Sequence, residues 1–169
     1  PDMGKAVNRI KEAIGNNEKV GIFGDFDTDG ITGTALLTKT LQQFGLVVKP
    51  YIPNRINEGH GLNKTSIDFL HSLGITVLIT VDCGTSSINE IQYANSLGID
   101  VIVTDHHSIP ETMPPALAII NHNRIDSKYP FRGLAGVGLA FKLAEALFET
   151  SGTSYPSELL EFVALGTVA

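Results

Sequence analysis

Residues 20–30 have the sequence VGIFGDFDTDG, in which an apolar run is followed by aspartates at every second position, Asp25, Asp27 and Asp29. The stretch from Val20 to Phe26 is rich in branched and aromatic side chains, which is typical of a buried strand. The aspartates and Gly30 are typical of a turn. We therefore predict a strand that ends in an acidic turn.

Two further apolar runs end at residues that can bind metals. Val77 to Val81 is followed by Asp82. Val101 to Thr104 is followed by the tripeptide Asp105-His106-His107. In open α/β sheets the ligand site lies outside the carboxyl ends of the strands. We therefore expect these acids and histidines to converge in one crevice.

A repeated glycine pattern organises the first two thirds of the chain. Three segments have a glycine followed by a branched apolar run, which is typical of a helix C-cap that leads into a strand. They are FGLVV (44–48), LGITV (73–77) and LGIDV (97–101). The predicted order β-α-β-α-β-α-β favours an α/β fold with a doubly wound, mostly parallel, Rossmann-like sheet and helices on both faces. Ser87 to Glu90 has the spacing of a capping box at one helix start.

The flanking segments complete one predicted domain over residues 1–169. Residues 1–17 are expected to form a docking helix, residues 116–120 a further strand and residues 121–132 a loop. Two more helices are expected over residues 134–149 and 157–168.

Composition sets limits on the class of protein. The 169 residues are 43% hydrophobic, and a chain of this length buries roughly 70% of its unfolded surface. The net charge of −6 argues against binding nucleic acid by phosphate neutralisation alone. The single cysteine, Cys83, excludes an internal disulfide and fits a reducing compartment. Since the sequence has neither a signal peptide nor an apolar run of ~20 residues, we expect a cytoplasmic protein without a membrane segment.

The clustered carboxylates predict bound cations. Two carboxylates ~4 Å apart repel by about 4 kcal/mol at an effective dielectric near 20. Either some are protonated or cations hold them together, and oxygen ligands with imidazole favour Mn²⁺ or Mg²⁺. The plainer alternative is that the aspartates only cap a helix and occupy exposed positions of a turn, where aspartate is common.

Two other motif classes fit less well. The acidic turn resembles the first half of an EF-hand loop, but its twelfth position is Leu36 rather than glutamate. Asp27 to Gly30 also resembles the aspartyl-phosphatase motif of the haloacid dehalogenase class. That class usually has threonine or valine where this chain has Ile31, and it gives the adjacent histidines no role.

Taken together, the motifs resemble those of the DHH phosphoesterase family, and within it the RecJ branch of single-strand-specific DNA exonucleases. The resemblance extends over essentially the whole chain. The matching segments are DFDTDG (25–30), PNR (53–55), GHGL (59–62), VDCG (81–84), TDHH (104–107), AIIN (118–121) and LAGVG (134–138).

The resemblance implies a two-metal site. One ion would be bound by Asp27 and Asp82, and the other by Asp29, Asp82 and His106, so that Asp82 bridges them. Asp25 would complete the shell of the first ion. Such a pair, of Mn²⁺ or Mg²⁺, clamps a phosphodiester and activates water.

The resemblance also assigns roles around the metals. Asp105 would orient a ligand, and His107 would contact the scissile phosphate or assist proton transfer. Arg55 is a candidate phosphate clamp, because its planar fork matches phosphate oxygens, or it is an exposed loop arginine. His60 stands where the RecJ pattern usually has a base-stacking tyrosine.

Two glycines at a predicted helix start have alternative roles. Gly136 and Gly138 could present backbone N–H groups to a phosphate, or they could permit close helix packing.

The implied activity is 5′→3′ hydrolysis of single-stranded DNA in repair and recombination, with other recombination or replication proteins as partners. Two alternatives remain: a phosphodiesterase for oligonucleotides or cyclic dinucleotides, and a non-catalytic scaffold in replication.

The resemblance further implies a truncated domain. Residues 164–169 resemble the lead-in to the family's fourth metal motif, and the sequence stops before its aspartate. The second family domain, which closes over substrate, is also not in these residues. We therefore expect weak metal binding and little or no activity from this chain alone.

Overall fold

The computed structural model describes residues 1–56 and 58–168. In this part of the chain, five parallel strands form one sheet in the order β2-β1-β3-β4-β5. They are β1 (Lys19–Gly24), β2 (Val47–Tyr51), β3 (Ile75–Val81), β4 (Asp100–Thr104) and β5 (Ala118–Ile120). The prediction of a doubly wound α/β fold is confirmed, and the described sheet is parallel throughout.

Helices cover both faces of the sheet. They are α1 (Met3–Asn16), α2 (Thr28–Gln43), α3 (Lys64–Ser72), α4 (Ile88–Ser96), α5 (Gly136–Thr150) and α6 (Leu159–Val168). The first core layer joins α1, α2, α5 and α6 to one face, and the second joins α3 and α4 to the other.

The central strand β3 shows why these runs are continuously apolar. Val77, Ile79 and Val81 enter the first core layer, whereas Leu78 enters the second. Because neighbouring side chains point to opposite faces, a strand covered on both sides must be apolar at nearly every position. Full burial of each such side chain contributes about 1.5–3 kcal/mol.

The three predicted C-cap glycines are confirmed. Gly45, Gly74 and Gly98 have φ values of 82°, 78° and 77°, each two residues after the end of a helix. This left-handed conformation costs glycine little, because it has no Cβ.

The turn from β1 into α2 also depends on glycine. A Cβ on Gly30 would lie 2.4 Å from the carbonyl oxygen of Asp25, and one on Gly24 would lie 2.0 Å from Thr34 Oγ1. This close approach folds the acidic turn back on the strand end.

Several predicted boundaries differ from the structure. The first strand ends at Gly24 rather than Phe26, because the chain leaves the sheet to let Asp27 cap α2. The predicted strand over residues 116–120 begins at Ala118, and the helices predicted over 1–17, 134–149 and 157–168 extend over 3–16, 136–150 and 159–168. The capping box is incomplete, because Ser87 precedes α4 without a side-chain cap.

None of the helices in the described part of the chain is both long enough and apolar enough to cross a lipid bilayer.

Candidate metal centre

Three aspartates continue the three middle strands of the sheet at one edge. Gly24, Val81 and Thr104, the last residues of β1, β3 and β4, are paired in register. The pairing extends one residue further, because the Asp25 N–H donates to the Val81 carbonyl at 3.1 Å. Likewise the Asp82 N–H donates to Thr104 at 2.9 Å and the Asp105 N–H donates to Ile120 at 3.1 Å. Asp25, Asp82 and Asp105 therefore lie side by side at the strand ends.

Asp82 is the middle residue of this row and the most constrained. It is 2% exposed and has a φ of 60°, a left-handed conformation that is uncommon outside glycine and often occurs at functional sites. Burial, together with the Asp29 and Asp27 carboxylates, outweighs the lowering by His106 and raises the pKa of Asp82 to about 6. Its Oδ1 atom is buried without a hydrogen-bond partner.

One possible ligand group lies on the β1 side of Asp82. Oxygen atoms of Asp25, Asp27 and Asp82 lie within 4.8 Å of one another. Asp27 also accepts a 2.9 Å hydrogen bond from the Gly30 N–H, which fixes its carboxylate at the start of α2. These are the residues predicted for the first ion.

A second possible group lies on the β4 side and shares Asp82. Ligand atoms of Asp82, His106 and His107 lie within 4.8 Å of one another. His106 Nε2 lies 3.0 Å from Asp82 Oδ1 and 3.8 Å from Asp29 Oδ2. The predicted second set is therefore close together, and His107 is an additional possible ligand.

Asp29 is held by the start of α5. Its two oxygens accept hydrogen bonds from the N–H groups of Gly136 and Val137, both at 2.6 Å. A carboxylate is favoured there by the free N–H groups and the helix dipole. Gly136 thus presents its N–H to a carboxylate of the site, and its predicted role toward phosphate stays a prediction.

Glycine at position 136 also permits close packing. A Cβ there would lie 2.7 Å from Asp82 Cβ and Oδ1. At Gly138 a Cβ would instead meet the flexible Leu134 side chain at 3.2 Å. The alternative of close packing therefore applies strongly to Gly136.

Asp105 holds the loop after β4. One of its oxygens accepts from the Thr85 N–H at 2.9 Å, and the other lies 2.7 Å from His107 Nδ1 and accepts from the His107 N–H at 3.1 Å. Burial alone would raise the pKa of Asp105, but these hydrogen bonds outweigh it and hold the pKa below its ordinary value. Asp105 thus fixes the position of His107, and its predicted role in orienting a metal ligand stays a prediction.

Two aromatic rings, those of Phe26 and His60, and the Arg55 guanidinium group lie next to the acidic turn. The Arg55 guanidinium carbon lies 5.1 Å from the centre of the Phe26 ring, and the His60 ring lies 4.6 Å from the same ring. His60 also lines a cleft of about 390 Å³ whose other walls include Asp25, Asp82, Asp105 and His107. Arg55 is exposed and contacts the site through Phe26.

Sequence reasoning missed Phe26 and two asparagines. Phe26 was placed inside a strand, although its position between two aspartates of the turn could have indicated a site residue. Asn121 and Asn123 hydrogen-bond the carbonyl groups of His107 and His106. Both follow a short apolar run, and Asn121 ends the segment AIIN (118–121) that resembles the family.

Comparison with known proteins identifies relatives of the chain. The family model for the DHH family, N-terminal domain, matches residues 19–167. The single-stranded-DNA-specific exonuclease RecJ of Bacillus subtilis strain 168 is 43% identical over 167 residues, which cover 99% of this chain and 21% of that protein. The corresponding protein of Escherichia coli K12 is 42% identical over 177 residues, which cover 98% of this chain and 31% of that protein.

A solved structure shares the fold. The crystal structure of an exonuclease RecJ bound to manganese superposes with a TM-score of 0.91 and 34% identity, covering all of this chain and 43% of that one. The chain thus spans between about a fifth and a third of the length of these two curated relatives.

Proposed function

The chain belongs to the DHH family, and on that premise we propose that it forms the catalytic core of a single-strand-specific DNA exonuclease that uses two divalent metal ions. The observation that carries the proposal is the row of Asp25, Asp82 and Asp105, with Asp82 shared between two ligand groups. The substrate class comes from the names of the relatives, which are single-stranded-DNA-specific exonucleases.

The residues fit divalent ions. A buried carboxylate oxygen with no partner in hydrogen-bond geometry, as at Asp82 Oδ1, is costly unless a cation or a proton satisfies it. Carboxylate oxygens with imidazole nitrogen suit Mn²⁺ and Mg²⁺. We assign Asp25, Asp27 and Asp82 to one ion.

The second ion is assigned to Asp29, Asp82 and His106, with Asp82 as the bridging ligand. Two bound ions would lower the pKa of an attacking water and stabilise the charge on the phosphodiester. Asp29, fixed by two amides of α5, keeps this part of the site in place without substrate.

His107 is assigned to the substrate. Because Asp105 is ionised and can only accept, His107 Nδ1 carries the proton between them. Nε2 of His107 is then available to accept a proton or, when the ring is charged, to donate to a phosphate oxygen. Asp105 fixes the tautomer and acts through the histidine.

Phe26, Arg55 and His60 are assigned to the nucleotide strand. Aromatic faces and a guanidinium suit bases and phosphates of a single strand, and each stacked base contributes about 1–3 kcal/mol. Gly136 and Gly138, at the start of α5, stay candidate contacts to a substrate phosphate, and the Gly136 N–H already donates to Asp29. We further propose 5′→3′ polarity, a role in DNA repair and recombination, and a cytoplasmic location. Protein partners in those processes are part of the same proposal.

Because the matched relatives are three to five times longer, we propose that this chain is part of a longer protein, and the activity is tested on that longer protein. We propose that a further metal ligand and a closing domain lie outside these residues, so this chain alone should turn over substrate slowly. The assay compares mononucleotide release from single-stranded and duplex DNA carrying a label at either end, with Mn²⁺, with Mg²⁺ and with chelator.

The expected result is release of the 5′ label first, from single strands, with a divalent metal. Asp82→Ala should abolish it, whereas Asp68→Ala, at an exposed helix position, should not. Preferential hydrolysis of dinucleotides would support the small-substrate alternative instead. Unchanged activity in Asp82→Ala would contradict the metal assignment.

A further inference from the structure

We propose that Asn121 and Asn123 are positioning residues that fix the backbone of His106 and His107 and thereby set the metal affinity of the site. The inference rests on the proposed function, because it concerns the same ions. Neither asparagine side chain is placed as a ligand; each acts through the peptide group of a histidine.

Asn121 is fully buried and has an unambiguous orientation. Its Oδ1 accepts a 2.8 Å hydrogen bond from the Asn123 N–H, so its Nδ2 must be the atom on the other side. That Nδ2 donates to the His107 carbonyl at 2.9 Å and lies 3.3 Å from Thr85 Oγ1. Asn121 therefore ties the tripeptide to the loop after β3.

Asn123 makes the companion contact. Its Nδ2 donates to the His106 carbonyl at 2.6 Å. The ring of His106 reaches to 3.0 Å from Asp82 Oδ1. Because the carbonyl and the ring belong to one residue, a shift of its peptide plane would move Nε2 away from Asp82.

The turn that carries both asparagines is anchored independently of the metal site. The Arg124 Nη1 atom donates to the Ile119 carbonyl at 2.8 Å and to Asp2 Oδ2, just before α1. The Arg124 Nε atom donates to Asp126 at 2.9 Å. Arg124 is 9% exposed, so its bonds to Ile119 and Asp2 lie mostly out of water, whereas Asp126 is exposed. The asparagines thus join His106 and His107 to a rigid part of the scaffold.

The tripeptide is consequently held on both sides. Asp105 fixes the N–H and ring of His107 from within the tripeptide, and the asparagines fix the two carbonyl groups from the neighbouring turn. Hydrogen bonds that orient metal ligands typically change metal affinity about 10- to 100-fold when removed.

The plainer alternative is that these hydrogen bonds only stabilise a loop. The chain offers a matched control, because Asn95 Nδ2 donates to the Pro115 carbonyl at 2.8 Å on the α4 side, away from the site residues. Asn95→Ala removes the same kind of hydrogen bond, from a side-chain amide to a backbone carbonyl, at a position that does not contact His106 or His107.

The experiment measures the Mn²⁺ affinity of the longer protein, by titration followed by electron paramagnetic resonance. It also measures the melting temperature with chelator. Asn123→Ala should weaken Mn²⁺ binding about 10-fold, and Asn95→Ala should leave it unchanged. The chelated melting temperatures of both variants should lie within about 4 °C of the unchanged protein. If Asn123→Ala does not fold, Asn123→Leu, which keeps the volume and lacks the donor, takes its place with the same expected loss.

The outcomes separate the two proposals. Unchanged Mn²⁺ affinity in the folded Asn123 variant, with binding abolished by Asp82→Ala, would overturn the positioning role and leave the metal site standing. An equal loss of affinity in Asn95→Ala would also overturn it. If the unchanged longer protein does not bind Mn²⁺ at the site, the proposed function fails and this inference fails with it.

Discussion

Asp82 Oδ1 lies 3.0 Å from His106 Nε2, yet this oxygen has no partner in hydrogen-bond geometry. The two groups are brought together by neighbouring strands, since Asp82 follows β3 and His106 comes two residues after β4. The nearby Asp82 carboxylate raises the pKa of His106, while burial raises that of Asp82 to about 6. An imidazole nitrogen and a carboxylate oxygen at this distance can both bind one divalent cation.

Replacing Asp82 by asparagine should stabilise the metal-free chain. The folded-state pKa of about 6 lies above the ordinary value of 3.8, so the folded state disfavours the ionised form, and this cost is fully present above pH 6. Asp82→Asn should therefore raise the free energy of unfolding at pH 7.5, in the presence of chelator, by about 1–2 kcal/mol. This value is smaller than the full pKa shift would give, because water screens part of the charge. Urea unfolding measures it. The exposed Asp68→Asn is the control, and a destabilised Asp82→Asn would contradict the buried-charge argument.

Replacing Gly136 by alanine should displace the shared aspartate. The added Cβ would approach Asp82 to 2.7 Å, and both groups are fixed by backbone. We expect the Mn²⁺ affinity to fall at least about 10-fold, which is the usual effect of a change that moves a metal ligand. The matched control is Gly138→Ala, where the new methyl meets the flexible Leu134 side chain at 3.2 Å. Equal affinities in the two variants would show that the close approach at Gly136 does not matter.

The free energy of unfolding at acidic pH should depend on Glu18. Hydrogen bonds from Arg9, with one from Thr76, lower the pKa of Glu18 to about 2. The ordinary value is 4.5, so its contribution is present above pH 4.5 and is lost as the pH falls toward 2. Glu18→Gln should lower the free energy of unfolding by about 1–2 kcal/mol at pH 7, a value reduced for solvent screening of a partly exposed group, and by almost nothing near pH 2.

Urea unfolding across this pH range measures the Glu18 effect. Glu12→Gln, at an exposed position of α1, is the control. A Glu18→Gln difference that is constant with pH would rule out the ionic contribution.

The His60 ring should affect substrate binding rather than chemistry. It lies against Phe26 at the edge of the cleft and does not belong to either ligand group. In the longer protein, His60→Ala should raise KM for single-stranded DNA about 10-fold with kcat little changed, whereas His60→Tyr should preserve binding. His71→Ala, in the last turn of α3, serves as the control. A fall in kcat at unchanged KM would place His60 in the chemical step instead.

The order of strands and helices could be predicted because each signal is local. The apolar run at Val77 to Val81 and the glycine at 74 are explained by burial on both faces and by a left-handed C-cap. The closeness of Asp82 and Asp105 could be predicted because the carboxyl ends of parallel strands meet at one edge of the sheet. The resemblance to a family added the grouping of ligands into two sets. In the structure, ligand atoms of Asp25, Asp27 and Asp82 lie within 4.8 Å of one another.

The contacts that the sequence could not predict depend on tertiary structure. Asp29 is bound by amides of Gly136 and Val137, more than 100 residues later. Asn121 and Asn123 are ordinary loop residues until the fold places them beside the histidine carbonyl groups. The exact strand ends were also missed, because Asp27 competes with the sheet by capping α2.

The most direct test of the metal site is anomalous diffraction from crystals of the longer protein soaked in Mn²⁺. We expect two anomalous peaks, one between Asp27 and Asp82 and one among Asp29, Asp82 and His106, with Asp82 in contact with both. The absence of a peak next to Asp82, or manganese bound only elsewhere on the chain, would contradict the proposed two-metal site.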